Sequence, residues 1–186
     1  NTSGGVLNFL GFSYCGNYLK NRNIIKKDQD IALASGAAMF IPGKIFKKIG
    51  FFDDSFFMYH EDVDFSWRAR LYGFNIRLIT EAVVWHKYSF SKNIKKYYFV
   101  EKNRLLFIYK NYSNKTILLI LPIMLINEIL IIIQSLFNGW VFLKLKSYYD
   151  VLRQINHNRQ KIQQNRLKSD RELVQYWQAN LDFKEV

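Results

Sequence analysis

The chain has 186 residues, 49% of them hydrophobic, and carries 27 Lys and Arg against 15 Asp and Glu for a net charge of +12. This length and apolar content exclude a disordered tail and allow one domain with a real core plus appendages. Cys15 is the single cysteine, which excludes an internal disulfide framework and a cysteine-built zinc site and fits a reducing compartment.

Residue 1 is Asn, and no basic-apolar-small signal pattern follows it, so the sequence reads as a processed chain or a fragment. Residues 1–30 read as loop with short elements, punctuated by Gly4, Gly5, Gly11 and Gly16. From Ile31 to Pro42 the run Ile-Ala-Leu-Ala-Ser-Gly-Ala-Ala-Met-Phe-Ile-Pro predicts a buried strand. Its small residues at Ser35-Gly36 predict the close approach of a ligand or another backbone. Lys44 to Ile49 predicts a short helix closed by Gly50.

Glu61 to Tyr72 predicts a second helix. Acids at Glu61, Asp62 and Asp64 suit the positive end of its dipole. Val63, Trp67 and Leu71 share one face, Asp64 and Arg68 are placed to pair across a turn, and Gly73 stops it. Short strands are expected over Asn75 to Thr80 and Ala82 to His86, then a helix with a strongly basic face over Lys92 to Tyr112. Thr116 to Phe142 is long enough to span a bilayer, but Pro122, Asn127, Glu128 and Gln134 interrupt it. A carboxylate at mid-membrane is costly, so helices lying in the membrane interface are favoured over a clean span. A soluble pair of core helices is the remaining alternative. The tail from Lys144 to Val186 predicts polar, amphipathic helix, with a capping box at Ser169-Asp170-Arg171-Glu172.

Charge is distributed unevenly. Residues 51–90 hold four Lys and Arg against six acids, whereas residues 91–115 hold seven against one. That basic block directly precedes the apolar segment, which argues for anionic lipid headgroups rather than nucleic acid as its partner. A solvated helix face would carry the same charges.

The acidic island contains the residues most capable of chemistry. Glu61-Asp62 at a helix start, after an aromatic turn, sets carboxylates at the edge of an apolar wall, where one can act as a general base. The same placement is explained by charge complementarity with the helix end alone. His86 ends an expected strand, at the edge where open α/β sheets bind ligands. A lone histidine there is as readily structural.

Read together, Ser35-Gly36-Ala37-Ala38-Met39-Phe40-Ile41, Ile49-Gly50-Phe51-Phe52-Asp53, Phe56-Phe57-Met58-Tyr59-His60-Glu61-Asp62-Val63-Asp64-Phe65, Arg68, Gly73 and Ala82-Val83-Val84-Trp85-His86 form an ordered set. In order and spacing this set resembles the inverting family 2 glycosyltransferases, in particular their rhamnosyltransferase-like and galactofuranosyltransferase-like members. The resemblance covers roughly residues 6 to 113, and residues 161–172 look like the tail of the same group.

The resemblance implies an α/β fold: the C-terminal half of a GT-A mixed sheet over residues 1–115, then an apolar membrane-associated helical segment over 116–143 and a basic helical tail over 144–186. It implies that Asp62 is the catalytic base toward the acceptor hydroxyl and that Glu61 orients the acceptor. Trp67, Tyr59 and Arg68 would bind the acceptor, with Phe57 nearby, while Trp85 reads equally as core. His86, 24 positions after Asp62, matches a ligand of a divalent metal, Mn²⁺ or Mg²⁺; an imidazole suits Mn²⁺ better. The implied donor is a nucleotide diphosphate sugar. The implied acceptor is a saccharide or lipid-linked saccharide, met on the cytoplasmic face of the cell membrane, where the protein is peripheral or partly embedded.

The family's Asp-x-Asp metal motif follows an apolar strand in its N-terminal half. Asp28-Gln29-Asp30 has the letters but follows Lys26-Lys27, and reads as a solvated turn. The expectation is therefore a transferase fragment, inactive in isolation, whose donor site lies mostly elsewhere. A non-catalytic basic membrane adaptor of the same ancestry is the rival reading, and a nucleic-acid-binding protein a more distant one.

Overall fold

The computed structural model describes residues 3–21, 24–87, 93–155 and 159–179. It is a mixed α/β structure. Strands β1 (Gly5–Asn8) and β2 (Ser13–Cys15) form an antiparallel pair, and β3 (Gln29–Asp30) pairs antiparallel with β4 (Arg77–Leu78). Helices α1 (Gly43–Ile49), α2 (Glu61–Leu71), α3 (Lys95–Asn111), α4 (Asn114–Phe137), α5 (Val141–Gln154), α6 (Arg159–Asn165) and α7 (Asp170–Leu173) follow in order. A short strand β5 (Trp177–Gln178) then returns to pair parallel with β1, matching Leu7 with Trp177 and Asn8 with Gln178.

The core lies where α2 and α3 meet this small sheet. Trp67 is fully buried, stacked on Trp177 at 6.0 Å and edge-on to Phe107 at 6.3 Å. The expected tail is therefore not an appendage: its last described residues complete a sheet and cover the central tryptophan of the core. The capping box forms as expected, with Ser169 and Glu172 satisfying each other's backbone N–H groups. Asp170 behind it accepts from the Ser113 N–H at 2.7 Å and binds Thr116 and Arg166, which ties α7 to the start of α4.

Both expected glycine stops are present, Gly50 at φ 83° and Gly73 at φ 82°, values that other residues rarely adopt. The expected strand from Ile31 to Pro42 does not form. Gly5 donates to the Leu33 carbonyl at 2.8 Å, and Ile31 donates to Ile76 at 2.9 Å. Beyond that, side chains of α2 replace a neighbouring strand: Ser66 Oγ accepts from the Ala34 N–H at 3.1 Å and Asp62 Oδ2 from the Gly36 N–H at 2.7 Å. Alternate N–H groups of an extended segment point the same way, and residues four apart share a helix face, so the two bonds are in register. Nor do residues 82–86 form a strand; the segment has no regular secondary structure and is exposed, with Trp85 at 88% exposure rather than in the core.

Asp28-Gln29-Asp30 is solvent-exposed as expected, but Gln29–Asp30 is strand β3 rather than a turn, and both acids hold structural contacts. Asp28 accepts from Thr80 N at 2.9 Å, and Asp30 accepts from Arg70 at 2.7 Å and from the Tyr176 hydroxyl. The expected basic face of α3 is largely internal. Lys102, Arg104 and Lys110 are buried, leaving Lys95 exposed and Lys96 half-buried on the helix; Lys92 lies outside the described residues.

α4 is continuous for 24 residues, about 36 Å of helix, with Pro122 inside it on an exposed position. By length and composition it is the one described helix able to cross a membrane, and 17% of its most apolar window is buried. It is therefore not a core helix of this chain. Its buried residues Ile120, Glu128, Ile131 and Ser135 form one narrow stripe. Glu128 points inward, to Arg104 of α3, to Lys144 of α5 at 2.7 Å, and to the Tyr148 hydroxyl at 2.7 Å. Glu101 shares Arg104 and Lys144, closing a buried cluster of two carboxylates and two cations.

Candidate active site

The site is built on the first turn of α2. Asp62 is half-buried, and each of its carboxylate oxygens accepts one backbone N–H: Oδ2 from Gly36 at 2.7 Å and Oδ1 from Val63 at 2.8 Å. Gly36 has no room for a larger residue without crowding this carboxylate, since a Cβ there would lie 3.3 Å from Asp62 Oδ2. What comes close at Ser35-Gly36 is the Asp62 side chain, rather than the ligand or second backbone expected there. On the far side, residues 36–38 are exposed, so the site opens outward.

Glu61 sits beside it. Burial raises its pKa, and the charge of Asp62 adds to the rise. Its Oε2 is buried without a hydrogen-bond partner. A carboxylate in this state takes up a proton more readily than an exposed one. The two acids therefore differ: one is pinned by backbone donors and one is left with spare acceptor capacity.

The loop before α2 is held in an uncommon backbone shape. Phe57, Tyr59 and His60 have φ of 60°, 63° and 65°, in the left-handed region that non-glycine residues rarely occupy. Phe56 is buried beneath the loop, and His60 is buried with its Nε2 3.0 Å from the Gly11 carbonyl. Burial lowers the His60 pKa, so the ring is neutral and donates through Nε2 to that carbonyl. Tyr59 is half-buried on this loop and Phe57 is exposed, packed on Phe99 at 5.6 Å. Both stay beside the Glu61-Asp62 turn in the chain.

Two expected acceptor-binding residues are corrected. Trp67 has no exposed surface and its ring is enclosed by Phe107, Tyr112 and Trp177, so it cannot stack on a sugar. Arg68 is also buried, with each of its three nitrogens engaged. Nε binds Asp64 at 2.7 Å, Nη1 the Ile49 carbonyl at 2.7 Å and Nη2 the Phe51 carbonyl at 2.8 Å. The expected Asp64–Arg68 pair exists, and its role is to clamp the end of α1 to α2.

His86 lies on the exposed 82–87 segment. Among the described residues, no three His, Cys, Asp or Glu side chains converge to hold a metal ion. His86 thus has no complete donor set within them.

The sequence did not single out α3 as part of the site, yet α3 grips the loop at three points. Lys102 Nζ donates to the Ser55 carbonyl at 2.7 Å, Lys110 pairs with Asp53, and Asn103 Nδ2 lies within 2.8 Å of the Phe56, Met58 and Tyr59 carbonyls. The available signal was the polar run Glu101-Lys102-Asn103-Arg104 inside an otherwise apolar helical pattern, which needs internal partners to be buried.

A family model described as glycosyl transferase family group 2 matches residues 17–146, well over half of the chain. Among curated proteins, the low-salt glycan biosynthesis hexosyltransferase Agl10 of Haloferax volcanii is 44% identical over 43 residues, covering 23% of this chain and 14% of that protein. No solved structure matches the chain. With an acidic helix start fixed against a glycine-lined segment and a family match across the residues that build it, this chain belongs to glycosyl transferase family group 2.

Proposed function

We propose that the chain forms the acceptor side of an inverting transferase that moves a sugar from a nucleotide diphosphate donor to a saccharide or lipid-linked saccharide. The observation that carries this reading is the Asp62 carboxylate, fixed at the start of α2 by Gly36 and open on the side of residues 36–38. In the proposed step Asp62 takes the proton of the acceptor hydroxyl as its oxygen attacks the anomeric carbon from the face opposite the diphosphate. The anomeric C–O bond breaks, and its electron pair leaves with the nucleoside diphosphate. One base suffices for a single displacement, and no nucleophilic side chain is required. Glu61, half-buried beside Asp62, would orient the acceptor.

His86 would supply one ligand to a divalent ion, Mn²⁺ or Mg²⁺, that neutralises the leaving diphosphate, the other ligands coming from outside the described residues. The broad apolar face of α4 would lie on the cytoplasmic face of the cell membrane, which brings the site to lipid-linked acceptors. Hexosyl transfer, named for the Haloferax relative, is the sugar class to test first.

The experiment is sugar transfer by the intact native protein, compared with Asp62→Asn. Loss of a general base costs roughly 10²–10⁴-fold, so the variant should lose at least a hundredfold in kcat while staying folded. Wild-type turnover by Asp62→Asn would remove Asp62 from the role of base. No transfer by the native protein from any nucleotide sugar would favour the membrane adaptor.

A further inference from the structure

We infer that Asn103 is a positioning residue: it holds the strained loop before α2 and so sets where the Glu61-Asp62 carboxylates stand. The inference rests on the proposed role of those carboxylates, and it names a residue on a different helix.

Asn103 is fully buried in α3, more than forty residues along the chain from the loop it holds. Its Nδ2 lies 2.8 Å from the Phe56 carbonyl and 2.7 Å from each of the Met58 and Tyr59 carbonyls. An amide nitrogen has two protons, so three acceptors around it exceed its donors. The opposite orientation would set Oδ1 against three carbonyls, which is repulsive, so the nitrogen faces the loop. Asn103 Oδ1, also buried, is left without a hydrogen-bond partner. A buried acceptor without a donor is costly. The side chain thus sacrifices one end to serve the loop with the other.

The loop needs this hold. Phe57, Tyr59 and His60 are all left-handed, and Met58 N–H donates back to the Phe56 carbonyl at 2.7 Å, closing a three-residue turn around Phe57. Turns of that kind with positive φ are rare and strained. None of the three residues is glycine, so the sequence does not select this shape locally; convergence of the carbonyls on Asn103 does. The next residues after His60 are Glu61 and Asp62, so relaxation of the loop moves both acids directly. A misplacement of about 1 Å at a reacting group costs about a hundredfold in rate.

The test compares Asn103→Leu, Asn103→Asp and Asn103→Gln with the native protein and with Asp62→Asn, all as intact protein. Leu and Asp keep the approximate size and remove the donor, while Gln keeps it on a longer arm. For Leu and Asp, kcat should fall 10- to 100-fold with the KM for the nucleotide sugar within twofold, and hydrogen exchange at residues 57–62 should speed up. Gln should recover part of both. In the native protein the Asn103 side-chain amide protons should exchange slowly, a readout that needs no variant. A folded Leu variant with native kcat and native exchange at 57–62 overturns the proposal, as does rapid exchange of the native Asn103 amide. Native kcat in Asp62→Asn together with faster loop exchange in Asn103→Leu would instead overturn the base assignment and leave the loop-holding role intact.

Discussion

At the scale of single residues, the difference between Asp62 and Arg68 is one of spare capacity. Asp62 spends one bond per oxygen and keeps lone pairs for a ligand, whereas the Arg68 nitrogens are committed to Asp64 and to the carbonyls of Ile49 and Phe51. Arg68→Ala would strand the fully buried Asp64, and breaking a buried pair on one side costs about 3–5 kcal/mol. Urea unfolding should show that loss, with the acceptor KM unaffected in whatever fraction remains folded. Native stability with a raised acceptor KM would restore Arg68 to the acceptor site. Trp67 teaches a related lesson. Its spacing with Val63 and Leu71 already marked a core face, and the family resemblance drew it toward the site; the periodicity was the better guide. A close approach at Gly36 was readable from the small residues around it, but its partner, the Asp62 side chain, was not. The left-handed trio was not, because Phe57, Tyr59 and His60 carry no local preference for that region.

At the scale of elements, helix ends were legible and the strand was not. Gly50, Gly73 and the Ser169–Glu172 box act through their own backbone within a few residues. A strand depends on what lies beside it, and for residues 34–36 that neighbour is a helix offering Ser66 and Asp62. Glu128 is the informative element-level residue in α4. Burial raises its pKa, but Arg104 and Lys144 outweigh that and bring it from 4.5 to about 2. A carboxylate whose pKa is lowered on folding contributes stability that is full above its ordinary value and lost as the pH falls through its folded value. The melting temperature should therefore drop as pH is lowered from about 4.5 toward 2. Glu128→Gln should already be less stable at neutral pH and should lose part of that acid dependence. Only part will go, since Glu101 faces the same two cations and its pKa is lowered too. Identical melting of native and Glu128→Gln protein at every pH would remove the cluster as the tether of α4.

At the scale of the whole molecule, the buried charges fix α4 against α3 and α5 while its other side stays apolar and exposed. Ile126, Leu130 and Ile133 on α4, and Phe142, Leu145, Tyr149 and Leu152 on α5, are exposed at helical spacing. Exposed apolar surface of this extent marks an interaction site. A crossing α4 would carry its inward-facing ionic cluster into the bilayer interior at a cost, which is why we propose that it lies along a bilayer surface. The native protein should float with vesicles containing anionic lipid. An Ile or Leu withdrawn from water contributes about 1.5–3 kcal/mol, so Ile126→Lys with Leu130→Lys should lower the partition coefficient by roughly a hundredfold or more. Unchanged flotation of the double variant would show that this face does not touch lipid.

The parallel pairing of β1 with β5 has a consequence for how the chain is made. Leu7 and Asn8 leave the ribosome some 170 residues before their partners Trp177 and Gln178. At about 5–20 residues per second, that separation is roughly ten to thirty seconds. The apolar α4 emerges within the interval, before Trp177 can cover Trp67. Contact with a chaperone, or with a membrane if α4 lies on one as proposed, would shield α4 during that wait, so such shielding and the final folding step compete in time.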